Sequence, residues 1–425
     1  MRVEITNDLA MIGGKRLSDI VNDNPDLLVF PDCLGLHNDD IGNLHICSYN
    51  VAYDRIFTGN LMGFVGVNNT LLDITSRFAR GDEDYFLPYI LIKVFCPNIL
   101  NLKHDISRAS VFDFLLYLFP HFFNEAMRQG LFKEYCHFEH NDSRVKGTLD
   151  VARHIKRNIP FYGRIAYNTR EYSFNNRITQ LLRHTIEYIK VSYWGRGILS
   201  AKETQANIRI VADCTPNYSV GDRRKVLADN RHEVRHPYFT RYTALQKLCV
   251  AILRHEELKY GTAKNKIHGI LFDGAWLWEE YLNTIFKPLG ITHAENKTGR
   301  NPIYLFADRS DYVSYPDFYL KGKIVIDAKY KHVKEDKIAR EDIHQIITYL
   351  HALNAKTTCL AFPIDNDRET NITPVGILNG QKGYVALIGL KIPQECSSFE
   401  EFVRAMECES KSLENKIKPY LYALP

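Results

Sequence analysis

The 425-residue sequence predicts an α/β fold, a mixed central sheet flanked by helices, preceded by a β-rich amino-terminal region. Three observations carry this prediction. Residues 315–331 read as a hairpin of short apolar strands, 340–353 repeat at the helical period, and 357–362 return to an apolar run. The first hundred residues instead alternate apolar and polar positions between glycines. A chain of this length buries a large core and divides into about two or three domains.

Taken in order, Leu44 to Tyr49 and Leu71 to Thr75 show strand alternation, with Gly59, Gly63 and Gly66 punctuating the stretch between them. Glu83 to Lys93 and Ser110 to Phe132 turn helical. The apolar run Val111 to Phe123 is too short to span a bilayer and contains Asp113, Pro120 and His121, so it reads as a core helix. A first domain closes near His140. Val145 to Leu149 reads as a short strand and turn, and Ile178 to Val191 as a helix capped by Asn175 or Asn176. Asp213 to His236 has mixed charge, Pro216 and the run Asp222-Arg223-Arg224-Lys225, which suits an exposed connector with short helical pieces. Tyr242 to His255 carries Leu245, Leu248, Cys249 and Ile252 at helical spacing, and Ala275 to Phe286 is a second helix. Pro374 to Ile392 gives alternating strands, and Ser397 to Leu424 a closing helix and tail. These elements divide the chain into a β-rich part at 1–140, a basic helical middle and connector at 141–235, a sheet-and-helix domain at 236–395 and a terminal helix at 396–425.

The chemistry concentrates between Tyr315 and Leu350. Asp317 follows Pro316 at the head of a short apolar run, and Lys321-Gly322-Lys323 supplies a tight turn. Ile324, Val325 and Ile326 then lead into Asp327-Ala328-Lys329, where a period of two puts Asp327 and Lys329 on one face. Pairing counted back from the turn sets Asp317 nearly opposite Ile326 and Asp327. Two carboxylates form a hard anionic site that suits Mg2+ or Mn2+, and a neighbouring ammonium orients water or offsets developing charge. Such a site is fitted to in-line phosphodiester hydrolysis. In the helix that follows, Ile343, Ile346, Ile347, Leu350 and Leu353 share one side, while Gln345 and Tyr349, four apart, share an adjoining one. Thr357 to Phe362 then reads as a buried strand ended by Pro363.

The ordered set Pro316-Asp317, nine residues, Asp327-x-Lys329 and Gln345-x-x-x-Tyr349 resembles the PD-(D/E)XK nuclease pattern with the Gln-x-x-x-Tyr helix of its RecB-like branch. Within that superfamily the run from Ile326 to Lys331 resembles the McrC nuclease subunit of McrBC restriction systems and the related LlaJI-type enzymes. Thr58 to Phe64 followed by Asp73 to Phe78 is similar to the amino-terminal domain of the same group, and Val145 to Leu149 with Tyr172 to Arg177 to its middle. The resemblance implies a PD-(D/E)XK restriction-endonuclease-like core in 236–395 and a partner-docking, adaptor role for 1–140. It implies that Asp317 and Asp327 bind Mg2+, that Lys329 supports the attacking water, and that Gln345 and Tyr349 position DNA. Glu279, in Leu277-Trp278-Glu279, completes the metal shell directly or through water, with Glu280 as the neighbour open to confusion. The implied partner is a McrB-like AAA+ GTPase ring, which binds the GTP and through which higher-order assembly arises. This chain would stimulate its hydrolysis through a residue for which Arg77 is one of several candidates.

Composition sets the remaining bounds. A net charge of +4 is too small to argue for nucleic acid, but residues 141–200 hold eleven Lys or Arg against four Asp or Glu, a local excess able to attract a phosphate backbone. The nine cysteines are scattered without a Cys-x-x-Cys pair, which fits neither a zinc site nor a disulfide framework and suits a reducing cytoplasm. The start MRVEITNDLA lacks the apolar segment of a signal peptide, and nothing predicts a membrane span. The chain has no phosphate-binding Gly-x-x-x-x-Gly-Lys loop, so nucleotide hydrolysis is not expected of it. Two other readings stay open: a regulatory adaptor of the motor with weak or silent nuclease activity, against which the intact Asp, Asp and Lys argue, and a restriction or repair nuclease acting alone, which would need its own sequence-reading domain.

Overall fold

The computed structural model describes residues 10–24, 27–30, 45–50, 55–68, 70–79, 84–95, 113–192, 195–254, 267–294, 302–331, 338–365, 367–380 and 383–422. It is a mixed α/β structure of two compact units, one made of residues 1–114 and 256–425 and the other of 115–255. The sequence-based boundaries at 140, 235 and 395 do not follow this partition, because strands from the two ends of the chain pair with one another. His255, Glu83, Leu44, residues 110–112 and the extreme amino terminus, parts of the elements read from sequence, lie outside the described residues.

The discontinuous unit opens with helix α1 (Leu17–Asp23) and strands β1 (Leu27–Phe30), β2 (Leu61–Val67) and β3 (Thr70–Ile74), followed by helix α2 (Phe86–Phe95). After residue 255 come β4 (Ile267–Asp273), α3 (Gly274–Phe286), β5 (Thr292–His293), β6 (Phe318–Leu320) and β7 (Ile324–Ala328). Helix α4 (Arg340–Ala352), β8 (Thr357–Ile364), β9 (Asn371–Ile377), β10 (Tyr384–Lys391) and α5 (Phe399–Tyr422) complete it. A four-stranded sheet has the order β1-β4-β2-β3, with β4 parallel to β1 and antiparallel to β2. Every residue of β2 is buried, so Gly63 and Gly66 lie inside a central strand rather than in turns between strands. Gly63 takes φ +127°, and a Cβ there would stand 2.1 Å from the carbonyl oxygen of Ile270 on β4. Only glycine permits that approach of two backbones.

The second sheet has six strands in the order β5-β6-β7-β8-β10-β9. Strands β7, β8 and β10 run parallel and the outer strands antiparallel, and α4 makes the crossover from β7 to β8. The β6–β7 hairpin turns where the sequence predicts, through Gly322 at φ +72° and a bond from Lys323 N to Leu320 O of 2.9 Å. Pro363 does not end β8, which continues to Ile364. Ala361 faces β7, accepting from Lys329 N, and Ile364 faces β10, so Pro363 faces the side where β7 has already ended and its missing N–H removes no ladder bond. Strand β10 is buried along both faces, a continuous apolar strand rather than an alternating one, because it lies between β8 and β9. Helix α3 starts at the N-cap Asp273, whose carboxylate accepts from Ala275 N at 2.9 Å, and packs on β8 through Trp278, whose indole N–H donates to Ala361 O at 3.3 Å.

The continuous unit contains the helix Asp113–Met127, whose Leu115, Leu118, Phe119 and Phe123 are buried as the core-helix reading requires. Strands Glu134–Asp142 and Ile165–Ser173 pair antiparallel over nine residues, with Thr148–Leu149 added alongside. Of the two asparagines proposed as cap for helix Arg177–Val191, Asn176 serves. Its Oδ1 accepts from Ile178 N and Thr179 N while its Nδ2 donates to Phe132 O and Ser173 O. Asn176→Ala is expected to cost about 2 kcal/mol, read as a lower midpoint in chemical denaturation, because a cap and two buried donors are lost together. The stretch 213–236 is mostly exposed and carries short helical pieces, as expected, but it lies within the continuous unit rather than between units. Val226, Asn230 and Val234 are buried, and Gln246 of helix Arg241–Leu253 donates to Asn230 Oδ1 and accepts from Val234 N. The basic run at 222–225 instead heads the helix Arg223–Asp229, and Arg223 stacks over Tyr188. Among the described residues no helix is long and apolar enough to cross a membrane.

Candidate metal centre at the end of the β6–β7 hairpin

Strand register places the acidic residues. Phe318 pairs with Ile326, so Asp317, one residue ahead of β6, falls beside Asp327 near the end of β7. The Asp317 carboxylate accepts from Ala328 N at 2.6 Å, which fixes one acid against the strand that carries the other. Asp327 is 2% exposed, and its Oδ2 lies 2.7 Å from Lys329 Nζ. Lys329 Nζ also donates to Gln345 Oε1 at 3.0 Å. Gln345 Nε2 then donates to Tyr349 Oη at 2.6 Å, and Tyr349 Oη to Tyr315 O at 3.2 Å. Helical spacing on α4 thus brings Gln345 and Tyr349 into one line with Lys329, and that line closes on the segment leading to Asp317.

Glu279 comes from α3, is 8% exposed and accepts from His293 Nε2 at 2.7 Å. His293 stacks on Phe318 with ring centroids 5.0 Å apart, so the first residue of β6 orients the partner of Glu279. Glu279 is buried, and its charge acts on both Asp317 and Asp327. Sequence reasoning passed over His293, which stands alone in a two-residue strand with no spacing signal. It also passed over Asp342, in the first turn of α4, which pairs with Lys331 at 2.5 Å.

Electrostatics mark the centre as short of positive charge. Burial, then the charges of Glu279 and Asp327, hold the Asp317 carboxyl well above the ordinary carboxylate range. Burial also raises Asp327, with Lys329 opposing the shift. For Lys329, burial alone would lower the ammonium pKa, but Asp327, Asp317 and Asp342 outweigh it and the value rises. Burial, then the charges of Asp327 and Asp317, raise Tyr349. Buried acidic side chains whose charges act on one another suit a hard divalent cation. Among the described residues no group of three or more His, Cys, Asp or Glu closes into a ligand cage. A pair of carboxylates is the set Mg2+ takes when water and a substrate phosphate fill its other positions. Asp317 and Asp327 are the residues that would hold such a cation. Glu279 is already engaged by His293.

Solved structures with similarity to the chain come from Thermococcus gammatolerans. One is a chain of a refined half-complex from a tetradecameric assembly of McrB AAA+ hexamers with bound McrC, at 16% identity and a TM-score of 0.42, covering 83% of each chain. Another is a chain of the cryo-EM McrBC complex, at 14% identity and a TM-score of 0.30, covering 67% of this chain and 79% of that one. Among curated protein sequences none matches. The family model of the McrBC 5-methylcytosine restriction system component matches residues 56–363, a span that takes in β2, β3, the continuous unit and all six residues of the candidate centre. The chain therefore belongs to the family of McrBC 5-methylcytosine restriction system components.

Proposed function

We propose that the chain is the Mg2+-dependent endonuclease subunit of a McrBC-type restriction system, that its six-stranded sheet with α3 and α4 is a PD-(D/E)XK core, and that it cleaves DNA when assembled with a McrB-like AAA+ GTPase whose GTP hydrolysis it stimulates. The observation that carries this reading is the convergence of Asp317, Asp327 and Lys329 at one end of the β6–β7 hairpin, with Gln345 on the lysine. A divalent cation held there supplies Lewis-acid polarisation of a phosphoryl oxygen and a water of lowered pKa. Lys329, fixed between Asp327 and Gln345, orients the attacking water and offsets charge on the phosphorane-like oxygens. Tyr349 and Gln345 hold the strand segment at Tyr315 and present polar groups to the DNA backbone. Docking on the ring is assigned to the amino-terminal part of the chain, and attraction of DNA to the basic residues of 141–200.

The test is plasmid cleavage with Mg2+ and GTP, with and without the cognate AAA+ partner. Cutting by the complex together with faster GTP turnover is expected. Faster GTP turnover with no cutting under any metal condition would leave only the adaptor reading, and cutting without the partner would favour a nuclease acting alone. Glu279→Gln should raise the Mg2+ concentration for half-maximal cleavage by about tenfold to a hundredfold, the usual effect of disturbing a metal site's supporting residues. Glu280→Gln should leave it unchanged. A shift in both variants, or in neither, would take Glu279 out of the metal's surroundings.

A further inference from the structure

The two amino-terminal segments that resemble McrC-like chains, 58–64 and 73–78, have no place in the catalytic line from Asp327 to Tyr349, yet both converge on the residue after Lys329. Tyr330 is 4% exposed. Its ring meets Phe78 edge-on with centroids 5.9 Å apart, its hydroxyl lies 3.5 Å from Met62 Sδ, and its carbonyl accepts from Arg77 Nη1 at 3.1 Å. The other end of the Arg77 guanidinium donates to Asn60 Oδ1 at 2.6 Å. The Asn60 carbonyl in turn accepts from the N–H of Gly274, the first residue of α3, at 2.6 Å. The bracket therefore joins the segment after β3 to the end of β7 and to the head of the helix carrying Glu279. Lys329 sits between two backbone anchors, its own N–H on Ala361 O at 2.8 Å and the next carbonyl on Arg77.

We propose that Arg77 is a positioning residue for Lys329, fixing the backbone at Tyr330 and hence the reach of the ammonium, and not the group that stimulates a partner's GTP hydrolysis. The proposal rests on the reading of Lys329 as the group that orients the attacking water. The geometry supports it directly: both ends of the guanidinium are committed within the chain, and a one-residue lever connects them to Lys329. Misplacement of a catalytic group by a fraction of an ångström lowers rate without lowering substrate affinity.

The experiment uses the full chain with its AAA+ partner and the variants Arg77→Ala, Arg77→Lys and Asn60→Ala. Four quantities are read: the single-turnover cleavage rate at saturating Mg2+, DNA binding with Ca2+ in place of Mg2+, GTP turnover, and amide hydrogen exchange across 328–331. Arg77→Ala is expected to lower the cleavage rate about tenfold to a hundredfold and to speed exchange at 328–331, with DNA binding and GTP turnover unchanged. Arg77→Lys, which keeps one of the two bonds, should fall between wild type and Arg77→Ala. Asn60→Ala should move in the same direction and add little on top of Arg77→Ala, as coupled residues do. Wild-type cleavage by Arg77→Ala, or loss of GTP stimulation with normal exchange, would overturn the proposal. If the wild-type complex does not cut at all, the nuclease reading fails, and unchanged exchange at 328–331 in Arg77→Ala would then overturn the positioning role as well.

Discussion

Asp327→Ala is expected to lower DNA cleavage by about a thousandfold, roughly 4 kcal/mol of transition-state stabilisation, while the variant folds, binds DNA and accelerates its partner's GTP hydrolysis as the wild type does. Asp327 is the buried acid beside Asp317 and pairs with Lys329 at 2.7 Å, so both cation binding and the placing of the ammonium depend on it. Stability should change little. The substitution removes a carboxylate that burial and the neighbouring acids already disfavour in its charged form, and Lys329 retains its bond to Gln345 and keeps some exposure to water. Plasmid linearisation and GTP turnover measured on the same preparation check both halves. A variant that still cuts within a few-fold of wild type would remove Asp327 from the metal, and one that loses GTP stimulation would show that the site and the docking surface are not separable.

Gly63→Ala should destabilise the discontinuous unit by upwards of about 3 kcal/mol. The residue holds a left-handed backbone angle, and the added carbon would meet the Ile270 carbonyl oxygen at 2.1 Å, a backbone atom that cannot rotate away. Separating β2 from β4 to make room would break pairings that run from Leu61 on Asp273 to Val67 on Ile267. A lower unfolding midpoint and reduced soluble yield are the expected readings, and cleavage should fall with them because Asn60 and Met62, which brace Tyr330, lie at the same end of β2. An unchanged midpoint would mean that the two strands do not approach as closely as this register requires.

The candidate centre was legible in the sequence because its parts are local. Asp317, Asp327 and Lys329 lie within one hairpin whose turn is fixed by Gly322, so alternation and a count back from the turn place all three. Helical spacing put Gln345 and Tyr349 on one face, and the resemblance assigned that face to the site. Glu279 was separated from Glu280 by resemblance rather than by physics, and the structure adds that Glu279 is buried against His293. What the sequence concealed depends on distant pairing. Nothing near Ile267–Asp273 announces that it will lie between β1 and β2, and the glycines of β2 look like turn residues until the strand they face is known. For the same reason the anchoring of 213–236 was hidden: Asn230 and the Val234 N–H find their partner in Gln246 of the helix 241–253, and a window of sequence shows only the polarity.

The placing of β4 also dictates when this chain can finish folding. Roughly two hundred residues separate Ile74 from Ile267, and at synthesis rates of about 5–20 residues per second the ribosome needs some 10–40 s to cross that interval. Throughout it β1 and β2 wait without the strand that joins them, exposing apolar edges of the kind that recruit wrong partners or chaperones. The continuous unit, complete by His255, has all its pairings in hand before β4 emerges. Birth order therefore runs from the middle of the chain outward, and the candidate centre, whose bracing depends on both ends, is the last part to become whole.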